Sequence, residues 1–144
     1  MWSIWIPPVG GFSREQIWGG HREYYWFETT VTIPEEFSGK CVVFQLTTGR
    51  EGEWDATNPQ FTIYVNGKLV QGLDVNHREV ILAEKAAAGE TYRIILSAFT
   101  GDQNFSLRLD ACLRVLDGPR RNIFMIYLYL MRWQDFCRRM TGHI

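Results

Sequence analysis

Little in these 144 residues marks a conventional active site. The histidines are only three, His21, His77 and His143, and no zinc-binding spacing such as HExxH joins them. The cysteines, Cys41, Cys112 and Cys137, are odd in number and lack short spacings. That argues against a disulfide framework or a structural zinc site. Cys41 and Cys112 fall in strand-like runs and read as buried free thiols, which suit a cytoplasmic setting. No G-x-S-x-G occurs, and Ser97 and Ser106 lie in strand-like runs rather than at a nucleophile elbow. Charge is nearly balanced, with 15 basic against 16 acidic residues and a net charge of -1, so there is no electrostatic footprint for nucleic acid. The apolar run Ile123–Met131 falls well short of the roughly 20 residues a membrane-spanning helix needs. Met1–Pro8 lacks the basic start and longer apolar core of a secretory signal, which again predicts a cytoplasmic protein.

What the chain does have is apolar and aromatic substance. Hydrophobic residues make up 46% and aromatics 15%, including six tryptophans, enough for one domain with a proper core. Strand signals dominate. Tyr24–Ile33 is aromatic and β-branched and stops at Pro34. Cys41–Thr47, Arg78–Ala83, Thr91–Phe99 and Phe105–Leu116 read as further strands, the last two alternating apolar with polar. Phe61–Val65 and Lys68–Gln71 flank Asn66-Gly67, a two-residue connection that favours a type I′ hairpin turn. About seven short strands without interleaved helices predict an all-β, antiparallel, jelly-roll-like sandwich over residues 1–117, with residues 1–20 as an extended lead-in.

The tail reads differently. Asp117-Gly118-Pro119 breaks the sheet, and Asn122–Met140 predicts a C-terminal helix within a tail of residues 118–144, with Asn122 as its N-cap. Arg132, Arg138 and Arg139 suit a helix C-terminus. Being apolar all round, this helix should be buried, against the sandwich or by self-association with a second copy.

Polar loops around the hairpin supply the candidate ligand or domain-interface residues: Trp54, Asp55, Asn58 and Gln60 on one side, Asp74, Asn76, His77 and Arg78 on the other. Each has a plainer reading. Trp54 is a sugar-stacking platform or a core residue. Asp55 and Asp74 could pair as glycosidase carboxylates but are commoner as turn residues. Asp74 and Asn76 could offer oxygens to calcium, although no ligand spacing supports it. His77-Arg78-Glu79 reads as a salt-bridge network at a strand start.

Two sets of residues also carry a resemblance. Tyr25-Trp26-Phe27 through Ile33-Pro34, Gly39-Lys40 and the Val65-Asn66-Gly67 hairpin resemble the jelly-roll, galactose-binding-domain-like modules that precede catalytic domains in many glycoside hydrolases. Trp54–Phe61 together with Gln71–Glu79 looks like the N-terminal domain of family 38 α-mannosidases of the cytosolic or vacuolar type, over roughly residues 18 to 117. In that family the zinc ligands and nucleophile belong to a separate catalytic domain. The resemblance therefore implies a non-catalytic accessory module without a cofactor. Its partners would be a catalytic domain, packed on the polar loops, or carbohydrate; a protein-interaction domain with no sugar ligand is the alternative.

Overall fold

The computed structural model describes residues 17–50, 58–116, 123–126 and 129–132. Among the described residues eleven strands follow in chain order: β1 (Trp18–Gly20), β2 (Tyr24–Thr32), β3 (Val42–Thr47), β4 (Gln60–Val65), β5 (Lys68–Leu73), β6 (Glu79–Ala83), β7 (Thr91–Phe99), β8 (Phe105–Leu107), β9 (Asp110–Val115), β10 (Ile123–Ile126) and β11 (Tyr129–Arg132). Every pairing is antiparallel. One sheet has the order β11-β2-β7-β4-β5, a second β10-β9-β3-β6, and β1 pairs with β8. This is the antiparallel jelly-roll-like sandwich that the alternating pattern predicts. Among the described residues the helical content is a single 3-10 turn at Glu35–Phe37, just after Pro34.

The core lies between the two larger sheets. Phe27, Ile63, Ile94 and Leu96 come from the five-stranded sheet, and Val42, Phe44, Leu46 and Leu113 from the four-stranded one, all essentially inaccessible to water. Alternation puts them there, because residues i and i+2 of a strand share a face. Trp18 closes one margin, meeting Phe27 edge-on at 5.1 Å and Tyr25 at 5.3 Å. Phe105–Leu116 divides into β8 and β9, yet Leu107, Leu109, Ala111, Leu113 and Val115 stay buried.

The hairpin forms as expected. Asn66 and Gly67 take φ of 50° and 80°, and Val65 pairs with Lys68 across the turn. The β4–β5 register shifts between Ile63 and Tyr64, and β5 runs on to Leu73.

The helix expected over Asn122–Met140 is not formed by the described residues of that stretch. Ile123–Ile126 is a strand paired with β9, and Tyr129–Arg132 is a strand paired with β2. Residues apolar at every position have no helical period to distinguish them from strands buried on both faces. Ile, Phe and Tyr favour strands, and β9 and β2 would otherwise present open edges to water. Strand pairing satisfies the backbone of both sheets, which a packed helix would not. A helical surface for self-association is accordingly missing from the described residues, 123–126 and 129–132 being strands.

Candidate functional site: a groove on the five-stranded sheet

Strand register decides which outward side chains meet. Tyr24 lies opposite Phe99, which lies opposite Gln60, making one row across β2, β7 and β4. The next row is Trp26, Ser97, Thr62 and Gly72. The third is Glu28, Ile95, Tyr64 and Leu69. Their chain neighbours Phe27, Phe61, Ile63, Leu96 and Ala98 are buried in the core, so all three rows face away from it.

The rows differ in height. Trp26 and Tyr64, ring centroids 6.2 Å apart, pack over Ile95, and Trp26 is itself buried. Tyr24 and Phe99 stand as a wall, 4.9 Å apart and tilted by 32°. Beside that wall Ser97, Thr62 and Gly72 are small. The result is an open groove of about 460 Å³, floored by these small residues and rimmed by Tyr24, Phe99, Gln60, Asp74 and His77. Tyr24 is 57% exposed, so its ring is presented to solvent.

Asp74 and His77 come from the loop between β5 and β6, and the loop fixes itself. Asp74 Oδ1 accepts hydrogen bonds from the backbone N–H groups of Asn76 and His77, each at 2.7 Å. The His77 ring Nδ1 lies 3.2 Å from the same oxygen, and the Asp74 N–H donates to the His77 carbonyl at 3.0 Å. Partial desolvation works to raise the Asp74 pKa, but the hydrogen bonds from His77 and Asn76 outweigh it and hold the carboxyl below its ordinary 3.8. Asp74 is therefore a turn carboxylate that also reaches the groove. At the start of β6, Glu79 accepts from Arg114 at 3.0 Å and from Gln45 at 2.7 Å, so these partners come from β9 and β3 and not from His77 or Arg78.

Of the residues singled out in the sequence, Gln60, Asp74 and His77 meet at this groove. Asn58 sits on the approach to β4, before a cis peptide to Pro59, and its carbonyl accepts from Arg50 at 2.7 Å. Its side chain fills the space that Gly101 leaves; a Cβ there would stand 2.6 Å from Asn58 Cγ. Asn76 is exposed on the Asp74 loop, and the Arg78 carbonyl accepts from the Leu46 N–H at 2.9 Å; neither lines the groove. Trp54 and Asp55 lie outside the described residues. Sequence reasoning missed Tyr24, Thr62, Gly72, Ser97 and Phe99. Their one signal was outward position at matching ends of long strands, which needs the register to be read. Among the described residues no three His, Cys, Asp or Glu side chains gather as a metal site.

The fold and groove together define a jelly-roll-type β-sandwich with an aromatic, polar-rimmed surface. A family model for the alpha-mannosidase jelly-roll domain matches residues 9–106, and the chain belongs to that family. No curated protein matches it.

Proposed function

We propose that the chain is a non-catalytic module of an α-mannosidase-type protein and works by docking on a catalytic domain. The docking surface is the end of the sandwich that carries the loops at residues 21–23, 74–78 and 100–104. The observation that carries this reading is that these loops are shaped before any partner arrives. Asp74 closes one of them with three of its own contacts. His21 Nδ1 lies 2.7 Å from the Asp102 carbonyl, Arg22 pairs with Asp102 at 3.2 Å, and the Arg22 N–H donates to Gly101 at 2.8 Å. A preformed polar surface spends little ordering entropy on association. Zinc and the nucleophile would then be supplied by the partner.

Sedimentation of the chain mixed with a family 38 α-mannosidase catalytic region lacking its own N-terminal module tests this. Co-sedimentation at micromolar concentration, weakened by Arg78→Glu, is expected. Independent sedimentation refutes it. In parallel, the chain alone with an aryl α-mannoside and zinc or cobalt should release no product above buffer; turnover abolished by a chelator would show it to be an enzyme itself.

A further inference from the structure

We infer that the groove on the outer face of the five-stranded sheet binds the pyranose ring of a neutral oligosaccharide. The inference goes beyond docking; its site lies on the sheet face and shares Asp74 and His77 with the loop end.

A hexose ring is a flat body with C–H groups on its faces and hydroxyls around its edge. Recognising one takes an aromatic surface for the face and hydrogen-bonding groups at ring height for the edge. Tyr24 supplies an exposed aromatic face, braced by Phe99 at 4.9 Å. An aromatic ring of this kind also keeps a polar tip for water or ligand. Ser97, Thr62 and Gly72 keep the floor low enough for a ring to lie beside Tyr24 and Phe99. Gln60, with both a donor and an acceptor, and the Asp74–His77 pair stand at the rim, and Thr62 and Ser97 bring hydroxyls to the floor.

The charge pattern narrows the class. Among the described residues neither Lys nor Arg lines the groove, so none of them would neutralise a phosphate, sulfate or uronate there. Asp74 already has His77 beside it, so no unpaired carboxylate waits for a cation. A polypeptide adding as a strand would pair along the outer edge of β5, beside the groove, whereas β4 and β7 beneath the groove are each paired on both sides. A single ring with few polar anchors should bind weakly, and the affinity should grow with several rings per chain.

Affinity electrophoresis of the whole chain through gels containing soluble mannan, galactomannan or β-glucan tests the inference. Retardation by at least one of these neutral polysaccharides is expected. Tyr24→Ala should weaken it about fivefold or more, as loss of one stacking surface implies. Thr62→Tyr, which raises the floor, should abolish it. Ile81→Ser, an exposed change on β6 in the other sheet, should leave it unaltered. Circular dichroism of each variant confirms that the fold is kept. Retardation by none of the three, or retardation that Tyr24→Ala and Thr62→Tyr leave unchanged in folded protein, overturns the inference. Because no catalytic region is present in this assay, failure here leaves the sedimentation result standing, and the reverse also holds.

Discussion

Replacing Asn66 with alanine tests how the hairpin is tied to the sheet that carries the groove. Asn66 makes three contributions at once. It adopts φ of 50°, a region L residues avoid. Its N–H donates to the Arg93 carbonyl at 2.8 Å, and its Oδ1 accepts from the Arg93 N–H at 2.8 Å. The β4–β7 ladder ends at Val65 opposite Ile94, so Asn66 continues it by one further pair, using a side chain as acceptor. Alanine keeps the backbone donor but loses the acceptor and the tolerance for positive φ. Left-handed backbone costs roughly 1–2 kcal/mol for an ordinary residue, of which asparagine escapes a part. A lost hydrogen bond costs about 0.5–1.5 kcal/mol, and the low end applies because water reaches this exposed site. The sum is about 1–2 kcal/mol. Urea unfolding should show it as a lower midpoint at unchanged slope. Gly67→Val isolates the torsional part. A Cβ at Gly67 would meet nothing within 4 Å, so its cost of about 1 kcal/mol or more comes from φ of 80° alone. If Asn66→Ala unfolds within about 0.3 kcal/mol of the parent, well under the hydrogen-bond range, the side chain is not continuing the ladder.

Two titrations complete the set. Burial raises the Tyr92 hydroxyl, helped by its hydrogen bond to the Glu90 carboxylate and that group's charge, to about 12 from 10.0. The folded state thus holds this proton more tightly than the unfolded chain does. Its contribution is complete below pH 10 and is lost as pH rises through 12, so alkaline unfolding should steepen in that window; Tyr92→Phe should flatten it, and an unaltered profile would contradict the assignment. Asp74 has the opposite sign. Its lowered pKa contributes stability above the ordinary 3.8 that is lost as pH falls through the folded value, and Asp74→Asn should remove that part of the acid sensitivity measured by urea midpoints.

The strands were legible because alternation is local. Val42, Phe44 and Leu46, or Leu107 through Val115, show their buried face without any knowledge of the partner strand. The hairpin was legible for the same reason, since Asn-Gly carries its own torsional preference. The tail was not. Ile123–Met131 has no polar position to break the tie between helix and strand, and length favoured a helix. What decided it was the open edges of β9 and β2, two demands placed by segments far away in the chain. Local sequence carries no record of an edge that needs a partner.

The groove divides along the same line. Asp74, Asn76 and His77 close a loop within four consecutive positions, so turn chemistry alone drew attention to them. Tyr24, Gln60 and Phe99 become neighbours only once β2, β7 and β4 are set in register, and a slip of one residue would turn all three inward. That register is held by the core residues between them: Phe27 opposite Leu96, and Ile63 opposite Leu96 from the other side, all buried. The packing that makes the sandwich stable therefore also lines up its outer face. A surface assembled in this way needs neither loop motion nor a bound ion to form. It suits a module that contributes contact, and the chain belongs over residues 9–106 to the alpha-mannosidase jelly-roll domain family.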